Sequence, residues 1–537
     1  MNQIRMEIKR AAVVCGAYFA MISAAFGADL TGHWIASQAG RNGQPQETSI
    51  WIKADGATFT GYMSTPRNGD VPIVDGKVSG DQVTFTTVTD VYGEDRKQEY
   101  TGSITADGLV IHMPAGGGRG FGGAGGGAGR GAGAGGAPGP GGRGGQARDL
   151  VAKRVSAGNP PPMPEKLDLG AMKEVKYNGL AKTPPMGWNS WYKFRAQVSD
   201  KVVRETADAM VRNGLKDAGY VYVNIDDTWE GPRDGQGNIT TNERFPDMKA
   251  MIDYIHSKGL KFGIYSSPGP TTCAGYPGSF QHEQQDAKTY AAWGVDFVKY
   301  DWCSGSSVYK SSSMAAAYAK MGQALLDTGR PMVYSLCQYG VMHVENWGAK
   351  AGGNLWRTTG DIRDQWGPMS AIGFDQQQPY QDATGAGHWN DPDMLQVGLG
   401  GMSETEYRTQ MSLWSLLAAP LLAGNDVRDA PPETLAILLN QEVIAIDQDK
   451  LGKQARRASK NGDLEIWTRP LEHGAYAVGL FNRGEAAAKV ALHASDLNVK
   501  KMSKIRDVWA HTDDPAGAEF SADVPSHGVV MLRVEGK

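Results

Sequence analysis

Between Asp29 and about Val155 the chain alternates apolar and polar residues in short runs, 48–53, 58–63, 82–88 and 108–112, divided by Asp-Gly and Asn-Gly turns. A period of two with that punctuation predicts strands carrying one inward face, hence an all-β module over 29–155. A run of almost nothing but Gly, Ala, Pro and Arg, 116–145, interrupts it and has too little apolar surface to fold. A Pro-rich stretch inside 156–168 then reads as a semi-rigid linker. From 169 to 447 short apolar runs alternate with helical stretches, the pattern of parallel βαβ units. The predicted strands are 186–190, 220–225, 261–266, 297–300, 332–337, 354–358, 388–390 and 420–423. That number of strands suits a closed (β/α)8 barrel better than an open sheet, and no Gly-rich dinucleotide fingerprint follows the first. Over 448–537 the alternation returns at 464–468, 475–481, 489–492 and 529–534, predicting a C-terminal antiparallel β-sandwich.

Charge and composition change the picture mainly by exclusion. The 54 Lys and Arg against 58 Asp and Glu give a net charge of −4, with no long basic or acidic run outside the extreme N-terminus to recruit nucleic acid; Arg119, Arg130 and Arg143 in the Gly-rich run invite that reading, but outside the cytoplasm a flexible hairpin insertion is the more ordinary one. Residues 1–28 combine Arg5, Lys9 and Arg10 with an apolar stretch and small residues at Ala25 and Gly27, which predicts a signal peptide and an exported, periplasmic or secreted protein. No later uninterrupted apolar segment has membrane-spanning length, so no membrane association is expected. Beyond the signal, Cys273, Cys303 and Cys337 allow one disulfide and one buried thiol, and the arithmetic leaves the pairing open.

In a (β/α)8 barrel the chemistry sits where strands end. Here the ends carry Trp191, Asp226 and Asp227, Tyr265, Lys299 and Asp301, Gln338, Arg357 and Asp361, and Asp391 and Asp393. A single aspartate after a strand is commonly a cap or turn residue. Capping explains neither Lys299 on the same face as Asp301 nor a carboxylate four residues after Arg357. Several carboxylates, two cations and aromatic rings suit a sugar, whose hydroxyls need charged acceptors and whose C–H faces pack on rings. No His-x-His pair or oxygen-ligand loop accompanies them, so neither metal nor cofactor is expected.

These motifs resemble a known family. Thr183-Pro-Pro-Met-Gly-Trp-Asn-Ser-Trp191, Ile225-Asp-Asp-Thr-Trp229, Lys299-Tyr-Asp-Trp-Cys303, Trp356-Arg-Thr-Thr-Gly-Asp-Ile362 and Trp389-Asn-Asp-Pro-Asp-Met394 are similar, in order, to the α-galactosidases of glycoside hydrolase family 27. The resemblance covers the barrel and the sandwich, and leaves the N-terminal module outside. It implies a retaining exo-glycosidase with Asp301 as nucleophile and Asp361 as general acid/base. It also implies a sugar held by Trp191, Asp226, Asp227, Tyr265, Lys299, Gln338, Arg357 and Asp393, and a disulfide between Cys273 and Cys303. Lys299 is expected to favour ionised Asp301, and repulsion between carboxylates to keep Asp361 protonated. Gln338 stands where the family commonly has Glu. Related alternatives are therefore a β-L-arabinopyranosidase and an α-N-acetylgalactosaminidase; a sugar-binding protein without catalysis would have been free to lose Asp301 or Asp361. In the N-terminal module, Trp34, Trp51 and Tyr62 could form a polysaccharide platform, but scattered aromatics in a small β domain are more often core residues.

Overall fold

The computed structural model describes residues 29–39, 45–65, 68–113 and 149–537; the expected signal peptide and the Gly-rich run 116–145 lie outside the described residues. Eight strands form the N-terminal module: β1 (Gly32–Ala39), β2 (Pro45–Asp55), β3 (Thr58–Thr65), β4 (Gly69–Ser79), β5 (Gln82–Val91), β6 (Glu94–Thr105), β7 (Gly108–His112) and β8 (Asp149–Ser156). Each pairs antiparallel with the next and β8 returns to β1, so the sheet closes and no edge is left open. Trp34, Ile50, Ile52, Phe85, Ile111 and Leu150 fill its interior. Trp34 is thus core, its indole N–H donating to Leu30 O. Trp51, between Ile50 and Ile52, faces outward beside its cross-strand partners His33 and Tyr62. His33 stacks face to face on Trp51 at 4.0 Å, so that indole face is already covered.

The catalytic-size domain is a parallel sheet of β9 (Met186–Asn189), β10 (Tyr222–Asn224), β11 (Lys261–Ser266), β12 (Phe297–Asp301), β13 (Val333–Cys337), β14 (Leu355–Arg357), β15 (Trp389–Asp391) and β16 (Leu421–Ala423). They run in sequence order from β9 to β15, with β16 beside β9. Leu395, just beyond β15, bridges to Ala423 of β16, and this last pairing closes the ring. Several of the surrounding helices begin at side-chain caps and bury one stripe. Asp200–Arg212 starts where Ser199 accepts from Val202 N–H and turns Val203, Ala207 and Met210 inward. Glu404–Leu416 starts at a capping box of Ser403 and Glu406. The first barrel strand begins only at Met186. Residues 157–185 form no helix, and Leu180 and Ala181 plug the barrel's N-terminal end against Tyr222, Phe297, Val333, Leu355 and Trp389. Side chains at the opposite, C-terminal end are therefore the ones left to face a ligand.

The N-terminal module rests on the loop that follows β12. Gly69 lies so close that a Cβ there would meet Ser307 O at 2.4 Å, Asp90 accepts the Ser311 N–H, and Tyr92 packs on the barrel core. After the barrel come β17 (Arg456–Asn461), β18 (Leu464–Pro470), β19 (Ala475–Asn482), β20 (Ala488–His493), β21 (Met502–Asp507), β22 (Thr512–Asp514), β23 (Glu519–Val524) and β24 (Val529–Gly536). A six-stranded antiparallel sheet and the β20–β23 pair enclose Val478, Leu480, Leu492, Ile505 and Leu532. Buried Arg469 ties this sandwich to the barrel through the carbonyls of Ser415 and Asp447. Among the described residues no helix is long and apolar enough to cross a membrane.

Candidate active site

A polar cavity opens at the C-terminal ends of the barrel strands. Seven consecutive strand ends contribute to it: Trp191 and Tyr192 after β9, Asp226 and Asp227 after β10, Tyr265 and Cys273 from β11 and its loop, Lys299 and Asp301 from β12, Tyr339 after β13, Arg357 and Asp361 from β14, and Asp393 and Met394 after β15. The alternation of β12 turns Lys299 and Asp301 to the same side, and the adjacent Asp226 and Asp227 leave β10 into a common floor.

Asp301 is buried and both of its oxygens are held by phenols. Tyr265 donates to Oδ2 at 3.0 Å and Tyr339 to Oδ1 at 2.5 Å. Burial pushes its carboxyl up to about 6, while Lys299 and the Tyr339 hydroxyl pull down and the charge of Asp361 adds to the rise. At neutral pH the carboxylate is ionised. Lys299 acts on it through space, because its ammonium is bonded to Asp226 Oδ2 at 2.7 Å. Asp226 also accepts from Asn189 Nδ2 through Oδ2 and from the Asp227 N–H through Oδ1, which leaves Oδ1 with a single donor. Asp227 differs: Oδ2 takes the Ala274 N–H at 2.7 Å, whereas buried Oδ1 has no partner. Burial pushes its carboxyl up to about 7, against hydrogen bonds from Thr272 and Ala274. An orphaned buried oxygen on a cavity wall is an acceptor for a ligand hydroxyl.

Across the cavity Asp361 is the exposed member, its side chain 64% accessible, with Oδ1 3.1 Å from the Arg357 guanidinium. A cation is thus a direct partner of Asp361, and it works against the carboxylate repulsion expected from sequence to keep the group protonated. Fully buried Asp393 braces this corner. It pairs with Arg357 at 3.1 Å, accepts from Tyr192 Oη and the Ile362 N–H through Oδ2, and binds the Met394 N–H through Oδ1. Its oxygens being occupied, Asp393 fixes the segment that carries Asp361.

Gln338 is the one expected binding residue that does not reach the cavity. It is fully buried, its amide donating to Arg357 O. Tyr339 projects into the site in its place, and sequence reasoning passed over it, together with Tyr192 and Met394. The only signal for Tyr339 was its position at a strand end. Cys273 and Cys303 are joined in a disulfide and Cys337 is a buried thiol. That bond anchors the loop bearing Ala274, and so the backbone that holds Asp227.

A parallel barrel with two carboxyl groups facing one polar cavity at its strand ends is the architecture of a glycoside hydrolase. The sequence profile described as "Alpha galactosidase A" matches residues 183–449, and that of the "Alpha galactosidase C-terminal beta sandwich domain" matches 461–534. An α-galactosidase of Cyamopsis tetragonoloba is 47% identical over 361 residues, 66% of this chain and 86% of that protein. An α-galactosidase A of Cellvibrio japonicus is 46% identical over 383 residues, 67% of this chain and 93% of that protein. The crystal structure of α-galactosidase I from Mortierella vinacea superposes with a TM-score of 0.63 at 36% identity, covering 67% of this chain and 98% of that one. The chain belongs to the α-galactosidase family, glycoside hydrolase family 27.

Proposed function

We propose that the protein hydrolyses terminal α-D-galactosyl residues from oligosaccharides or polysaccharides with retention of configuration. The observation that carries this reading is the pairing, across one cavity, of Asp301, buried and held by phenols, with Asp361, exposed to an entering leaving group. Asp301 attacks the anomeric carbon while protonated Asp361 gives its proton to the departing oxygen, leaving a galactosyl ester on Asp301. Asp361 then takes a proton from water as the water oxygen attacks the same carbon, and the ester bond's electrons return to Asp301. The adjacent Asp226 and Asp227 supply acceptors for the axial 4-hydroxyl and the 6-hydroxyl, with the unpartnered Asp227 oxygen as the clearest vacant acceptor. Such buried acceptors reject sugars lacking the matching hydroxyl, because they would then stay unpaired. The features of residues 1–28 support export, into a compartment where the Cys273–Cys303 bond persists.

The test is a panel of aryl α-galactoside, β-L-arabinopyranoside and α-N-acetylgalactosaminide. The expected order of kcat/KM has the α-galactoside first, and Asp301→Asn lowers its turnover by at least about 10³-fold. Preference for the pentoside, or an active Asp301→Asn enzyme, defeats the reading.

A further inference from the structure

Tyr339 is placed in the cavity by a strained turn. Directly after β13 its backbone adopts φ +64, which side chains other than Gly rarely take, and Gly340 follows at φ +75. Gly340 has no alternative, since a Cβ there would meet Thr358 O. The turn carries the phenol over the Cys273–Cys303 bridge, 3.7 Å from the Cys273 sulfur, and brings its hydroxyl to Asp301 Oδ1. Backbone strain kept at a ligand cavity marks a residue whose placement matters to what the cavity does.

We propose that Tyr339 is a positioning residue of the hydrolysis: together with Tyr265 it holds Asp301 by one hydrogen bond to each oxygen, orients the carboxylate toward the anomeric carbon, and stabilises it again as the leaving group when the glycosyl ester breaks down. This rests on the retaining reading above. In that second step water adds to the anomeric carbon, its proton passes to Asp361, and the carbon–oxygen bond to Asp301 breaks with its electron pair returning to the carboxylate. A phenol already donating to that carboxylate lowers the basicity of the group that leaves. Burial and the neighbouring Asp301 charge raise the Tyr339 phenol well above its ordinary value, so it remains a donor throughout the working pH range.

The experiment compares wild type with Tyr339→Phe, which keeps the ring, on a dinitrophenyl α-galactoside. Losing one charge-assisted hydrogen bond moves the acidic limb of kcat/KM to higher pH by about one unit and slows breakdown of the glycosyl ester about tenfold, so a burst of dinitrophenol precedes the steady state. A raised KM with the limb and the burst unchanged means that the ring only shapes the wall, and overturns the proposal. Replacing Tyr339 by 3-fluorotyrosine, which is isosteric and a stronger donor, moves the limb to lower pH; a stationary limb again overturns it, without dependence on the folding of the Phe variant. If wild type prefers another glycoside, the same comparison on that substrate still decides the role of Tyr339, while the galactoside reading alone fails.

Discussion

Asp227→Asn separates what the site costs the fold from what it gives the reaction. In the folded protein burial holds the Asp227 carboxyl at about 7, against an ordinary 3.8. A carboxyl raised in the native state leaves stability untouched at low pH. It costs progressively more as pH rises between those two values, and reaches its full cost above the upper one. That interval corresponds to about 4 kcal/mol as an upper bound. The neutral amide is spared that cost. Its oxygen can still accept the Ala274 N–H, but its NH2 then occupies the place of the unpartnered oxygen, so we take about half the bound, roughly 2 kcal/mol. For a barrel of this size that is a rise of about 3 °C in Tm at pH 8, shrinking toward nothing below pH 4. Differential scanning calorimetry of the barrel transition at both pH values reads it, and galactose affinity measured alongside falls at least about tenfold. An Asn variant no more stable than wild type at pH 8, or a gain that is the same at both pH values, refutes the assignment of Asp227 as a buried carboxyl kept for a ligand.

Three further outcomes follow from the same geometry. Because Asp301 must be ionised to attack and is held at about 6, kcat/KM falls about tenfold per pH unit below pH 6; an acidic limb near pH 4 would place the controlling carboxyl elsewhere. Replacing Cys273 and Cys303 together by Ser removes a cross-link spanning 30 residues, worth about 3 kcal/mol to the barrel, and raises KM more than it lowers kcat because the Ala274 support of Asp227 loosens; chemical denaturation and steady-state kinetics check both parts. Asp393→Ala removes the buried carboxylate partner of the Arg357 guanidinium and frees the Ile362 N–H, so urea denaturation shows a loss of about 3 kcal/mol and kcat drops with the positioning of Asp361.

Much of this was legible along the chain. The strands ending in Asn189, Asn224, Asp301, Arg357 and Asp391 announce themselves by short apolar runs closed by polar residues, a pattern set by local alternation and by the need to bury both faces of a parallel sheet. Asp226, Asp227, Lys299, Asp301, Arg357 and Asp361 were visible for the same reason, since a strand end in this architecture points its side chains at the cavity. Gln338 and Tyr339 show where that reasoning stops. One residue beyond β13 the alternation no longer applies, and a left-handed turn sends Gln338 under Arg357 and Tyr339 into the site.

The sequence by itself determined the order and parity of the elements and the chemical inventory at the barrel mouth, because those depend on residues two to four apart. Only the tertiary structure decided closure of the N-terminal module into a barrel, the outward side of Trp51 against the inward side of Trp34, the bonding of Lys299 to Asp226, and the two phenols on Asp301. Each of these joins residues tens of positions apart. Their meeting is set by how strands close and how loops pack over them, and no local period of the chain encodes it.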